Sequence, residues 1–72
     1  MNAQRLKKYC VFKGQEWIDV IRIHALPAGG YIVHHTEEED LHLFDSIQEA
    51  LEFIATEYIA SKPSQLHIGE CP

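Results

Sequence analysis

Phe44-Asp45-Ser46-Ile47-Gln48-Glu49-Ala50-Leu51-Glu52-Phe53-Ile54 decides the fold, because it marks where a strand stops and a helix starts. Ser46 followed three residues later by Glu49 has the form of a capping box. In such a box the hydroxyl accepts the Glu49 amide and the carboxylate reaches back to the Ser46 amide. Beyond it, Ile47, Ala50, Leu51, Ile54 and Tyr58 recur at intervals of three and four, an apolar stripe that has to be buried against something. The spacing predicts a helix from about Ile47 to Ala60, stopped ahead of Pro63, which restricts Lys62 and cannot continue the ladder.

What the stripe packs on is read upstream. Tyr9 to Lys13 alternates weakly, Gly14-Gln15 reads as a turn, and Glu16 to Leu26 carries the Trp, Ile and Val that suit a pleated surface. A helical face of Trp17, Ile18, Ile21 and Ala25 is the rival reading, and the β-branched content favours a strand. Its alternation is imperfect. Ile18 and Val20 fall on one side, Ile21 and Ile23 on the other, which calls for a bulge near Val20 or for burial on both sides, the latter needing a dimer. Pro27-Ala28-Gly29-Gly30 is a turn, Tyr31 to Thr36 a strand, Glu37 to Asp40 a solvated turn, and Leu41 to Phe44 a short strand. Gln65 to Gly69 reads as a final edge strand or a tail lying over the core. Short connections favour sequential antiparallel pairing. The expected fold is therefore α+β, a meander of three to four strands with one C-terminal helix packed on one face. Residues 1–8 are a polar, basic arm, 9–68 the single domain and 69–72 a C-terminal tail.

Seventy-two residues suffice for one small core with a thin stability margin. No apolar run approaches the length of a membrane span, and no apolar stretch follows the basic residues of the N-terminus, so neither insertion nor export is signalled. Cys10 and Cys71 do not form the dense framework of a small secreted domain, which suggests reduced thiols in a cytoplasm. A bridge between them stays open, because the ends of small domains often lie close together. The net charge of −5 is unevenly spread: Arg5, Lys7, Lys8 and Lys13 come early, and every acid lies from Glu16 onward. An acidic body repels phosphate backbones, so nucleic acid is not expected on the folded core, although a short basic arm could still touch one.

Candidate chemistry is sparse. His34 or His35 could meet His42 across the Glu37 to Asp40 turn, with a carboxylate completing a metal site. Against this, His34 and His35 point to opposite faces of their strand, and no paired-cysteine or zincin signature is present. Ser46 is committed to capping, the cysteines lack a nucleophile signature and no acid pair marks a cleft, so no catalytic residue is assigned and no enzyme is expected. No cofactor is implied. Glu37, Glu38, Glu39 and Asp40, joined by Asp45, Glu49 and Glu52, could instead form a surface that imitates nucleic acid phosphates and binds a basic protein.

The phrase Phe44-Asp45-Ser46 followed by Glu49-Ala50-Leu51-Glu52-Phe53 is similar to the strand-to-helix junction of several small βββα domains, among them proteins carried on mobile elements and phages. The resemblance covers that junction alone and transfers no functional residue. The functional expectation is a non-catalytic, cytoplasmic interaction module that forms a homodimer, because the second strand brings more apolar surface than one helix covers. Trp17, Ile21, Ile23 and Tyr31 are the expected interface. An acidic inhibitor or adaptor of phage or mobile-element origin is the alternative, and a histidine-based metal protein the third reading.

Overall fold

The computed structural model describes residues 7–71. Its chain order is β1 (Lys7–Lys13), β2 (Glu16–Ala25), β3 (Tyr31–His35), β4 (Leu41–Phe44), α1 (Ile47–Ile54) and β5 (Leu66–Glu70). The strands form one antiparallel sheet in the order β4-β3-β2-β1-β5. The expected meander is β1 to β4. The sheet has five strands instead of three to four, because Gln65 to Gly69 is not a tail: after the helix the chain crosses over and lays β5 beside β1, Val11 opposite Ile68. Lys7 and Lys8 belong to β1 and Gly69 and Glu70 to β5, so the sheet takes residues from both the expected arm and the expected tail.

The irregular alternation of β2 resolves as a bulge. Cys10 pairs with Arg22 but its neighbour Val11 pairs with Ile18, which leaves Asp19, Val20 and Ile21 without partners on β1. Partners directly opposite share a face, as do residues two apart in a regular strand. Tyr9 faces Ile23 and Val11 faces Ile18, so Ile18 and Ile23 lie on one side of the sheet despite their odd spacing. Ile21 joins them. The bulge is pinned on its other edge, where the Thr36 amide donates to the Val20 carbonyl at 2.8 Å.

That side is the core. Val11, Ile21, Ile23 and Val33 pack with Ala50, Ile54, Ala55 and Leu66, all buried, and no polar residue is buried among the described residues. Ile21 and Ile23, expected at an interface, are 1% and 0% exposed beneath the helix and are unavailable to a partner. Tyr31 also faces this side, opposite Phe44, and is half-buried against the core. Of the expected interface only Trp17 is exposed.

The Ser46 cap forms with a difference in one arm. Its Oγ accepts the Glu49 amide at 3.2 Å, while its hydroxyl, and not its amide, meets Glu49 Oε1 at 3.4 Å. The helix is α only to Ile54; Ala55–Ile59 continues it as a π-helical turn. The Ala60 and Ser61 amides both return to the Ala55 carbonyl, and Ala60 takes the left-handed region at φ 54° to end it. Gly29 and Gly30, at φ 105° and 93°, turn the chain between β2 and β3 where a side chain would be strained.

Cys10 and Cys71 are bonded, with Cα atoms 4.9 Å apart, which corrects the expectation of free thiols. The bridge spans 61 residues and fastens the chain beyond β5 to β1. In the chain-entropy account a loop of that length is worth about 4 kcal/mol.

Truncating Ile23 to Ala should cost about 3 kcal/mol, since its methyls fill the space between sheet and helix. Leu43→Ala should stay within about 0.5 kcal/mol. Urea unfolding in dilute solution reads both, and an equal loss from the two variants would contradict this placement of the core.

Candidate functional site

The helix covers one face of the sheet and leaves the other open, and the register arranges the open face in rows. Lys8, His24, Ile32 and Leu43 form the first row, each opposite the next. Gly69, Cys10, Arg22, His34 and Leu41 form the second. His67, Phe12 and Trp17 form the third. The described residues exposing large apolar side chains are Trp17 at 40%, Leu41 at 59% and Leu43 at 69%, all three on this face. An aliphatic corner on β3 and β4 thus lies diagonally across from an aromatic corner on β1, β2 and β5. At the aromatic corner Phe12 stacks on His67, ring centroids 5.3 Å apart and planes 6° from parallel. The Phe12 ring also spreads over Gly69, where a Cβ would meet it at 3.2 Å.

The same rows carry Lys8, Arg22, His24 and His34 and no carboxylate. The rings of His24 and His34 lie 6.1 Å apart, and His24 Nδ1 is buried without a hydrogen-bond partner. Burial, followed by the charges of Lys8, His34 and Arg22, holds His24 below its ordinary value of 6.5. A shallow depression of about 370 Å³ between His24, Ile32, His34 and Leu41 is bordered by Glu39.

A second group gathers on the helix side, where the β3–β4 turn meets the π-helical turn. Tyr58 Oη donates to Glu38 Oε1 and Oε2 at 3.1 and 3.2 Å. His42 Nε2 stands 3.6 Å from Glu38 Oε2, an ion pair when the imidazole is protonated and too long for a hydrogen bond otherwise. His35 stacks on Tyr58 at 4.4 Å, and its Nδ1 accepts the Glu37 amide at 3.3 Å. Phe53 closes the group against His42 and Phe44. Burial first, then the Glu38 hydrogen bond and charge, raises Tyr58 above 10.0.

The candidates read from the sequence are therefore split. His34 faces the open side, while His35 and His42 face the helix side. A carboxylate of the turn does reach His42, but it is Glu38, held by Tyr58, and His35 is occupied in stacking. Among the described residues no three of His, Cys, Asp and Glu are grouped to hold a metal ion. All four acids of the run are exposed, and Glu38 alone of them accepts the Tyr58 hydroxyl and approaches His42. Arg22, Ile32, Leu41 and Leu43 were not singled out from the sequence; the Leu41-x-Leu43 alternation was the available signal for the last two.

Two titrations check these environments. The Tyr58 phenol favours its neutral form in the fold, a contribution present below pH 10.0 and lost as pH rises through its raised pKa. Ultraviolet titration should show the Tyr58 phenol ionising above pH 10.0, and Glu38→Gln should bring it earlier. For His24 the neutral form is favoured, so its contribution is complete above pH 6.5 and is lost as pH falls through the lowered pKa. Arg22→Gln should move its imidazole resonance midpoint upward, and an unmoved midpoint would show that the Arg22 charge does not act on His24. Comparison with protein-family models, curated proteins and solved structures finds no match to this chain.

Proposed function

We propose that the protein is a non-catalytic interaction module that self-associates through the aliphatic corner of its open sheet face. The observation that carries the reading is the exposure of Leu41 and Leu43, side by side on the outermost strand, in a chain whose other aliphatic strand residues are half-buried or buried. Water contact with such a corner is unfavourable, and covering it with a second copy removes apolar surface from both. A stable contact needs about 800 Å² from each partner, roughly a sixth of the 4911 Å² surface described here. The expectation from the sequence placed the contact on Trp17, Ile21, Ile23 and Tyr31; the proposal moves it to Leu41, Leu43 and Ile32, because Ile21 and Ile23 lie in the core.

Among the described residues no helix is long and apolar enough to cross a membrane. A cytoplasmic location is part of the proposal, and the Cys10–Cys71 bond weighs on the other side, since such bonds persist in oxidising compartments. Contacts between leucines are little screened by salt, which separates this reading from the binding of a basic protein by the Glu37, Glu39 and Asp40 surface.

Light scattering coupled to gel filtration should give a dimer mass at high protein concentration, unchanged by added salt. Leu43→Glu should return it to the monomer while the circular dichroism spectrum is retained. A monomeric wild type, or a Leu43→Glu variant that keeps the dimer mass, would end the proposal.

A further inference from the structure

The formal charge of the chain conceals how its ions are distributed. None of the eleven acids occupies one of the three paired rows; Asp19 lies exposed in the bulge between Arg22 and Trp17 in sequence, and Glu39 borders the depression beside His24 and His34. Lys8 and Arg22 are on that face, and among the described residues neither is paired with a carboxylate. Burial first, and then the charges of Lys8, His34 and Arg22, disfavour a further positive charge at His24. A face of this kind is complementary to an anion. The net charge of −5 argues against phosphates for the body as a whole, and the paired rows set Lys8 and Arg22 apart from most of that negative charge.

The second feature of the face is flat and aromatic. Trp17 stands exposed beside Phe12, which is held level by His67 on one flank and by bare Gly69 backbone beneath. Along β1 the rows lie about 6.6 Å apart, so Lys8 stands two rows from Phe12 and Arg22, opposite Cys10, one row from it, with the bulge of β2 between Arg22 and Trp17. We infer that this part of the open face binds single-stranded nucleic acid, an unpaired base stacking on Trp17 and Phe12 and the adjoining phosphates meeting Arg22 and Lys8. An exposed ring accepts any base by its π face and leaves the phosphates to the cations, the combination by which sheet platforms hold single strands. A duplex hides its base faces and has no use for the rings. An acidic peptide would use the cations and leave the aromatic pair idle. Arg5 and Lys7 adjoin Lys8 in the sequence and carry the same sign.

The inference is separate from self-association, which uses the leucine corner. It is tested by fluorescence anisotropy of a labelled short oligothymidylate titrated with the whole protein, with emission of Trp17, the single tryptophan, read in parallel. Binding should quench that emission. With two phosphates neutralised, the logarithm of the association constant should fall with the logarithm of salt at a slope of about −1.4. Arg22→Gln should reduce the slope to about −0.7. Trp17→Ala should weaken binding about tenfold, and Trp17→Phe should restore most of it. Leu43→Glu should bind as the wild type does, whatever its mass. Absence of binding by the wild type at low salt overturns the inference. So does equal affinity for a duplex of the same length, or a polyglutamate competitor that displaces the oligonucleotide mole for mole.

Discussion

Everything in this small fold depends on the three residues of the second strand, Asp19 to Ile21, that have no partner on the first. A regular strand from Glu16 to Ala25 would send Ile18 to one side and Ile21 and Ile23 to the other, and a single short helix can cover only one side. The bulge at Asp19 to Ile21 absorbs the odd spacing and returns all three isoleucines to the helix. Its position is fixed from outside by the Thr36 amide on the Val20 carbonyl. A chain of this size has little apolar surface to waste, and the irregularity lets the core collect what periodicity would have divided.

The parts of the fold legible in the sequence were those governed by local chemistry. Ser46 and the stripe behind it announced the helix, the Pro27 to Gly30 turn announced the hairpin, and the acids after Thr36 announced a solvated turn, because each depends on residues within a few positions of one another. The bulge was legible as a choice and not as a decision. Alternation in β2 said that something irregular happens near Val20, and only the pairing with β1 tells a bulge from two-sided burial. Gln65 to Gly69 was legible as an edge strand or a tail, and it is the edge strand; its pairing with β1 and the Cys10–Cys71 bond were least legible, since both join positions about sixty residues apart. The candidate site suffered the same way: His34 and His42 are near in sequence but on opposite faces, whereas Phe12, Trp17 and His67 come from three strands to one corner.

The two faces of the sheet divide the chemistry as well as the packing. On the helix side, titratable groups are tied to one another: Tyr58 to Glu38, Glu38 to His42, and His35 to the Tyr58 ring. The π-helical turn brings this about, because its wider coil ends the helix with Tyr58 directed at the β3–β4 turn. On the open side Phe12 stacks on His67 and His24 lies against His34, but among the described residues Lys8 and Arg22 form no ion pair. Polar groups that satisfy each other lend rigidity, while groups left facing solvent are free to be satisfied by something else.

The placement of β5 beside β1 bears on how such a chain is made. The first and last strands of the sheet are neighbours, so the interior that Val11 and Leu66 share stays half built while the ribosome is still producing the intervening residues. Contacts of such long sequence separation are slow to form. Until Leu66 to Glu70 emerge, the growing chain exposes an unpartnered β1 edge, and the nascent protein is at its most vulnerable to chaperones, proteases and wrong neighbours during those seconds.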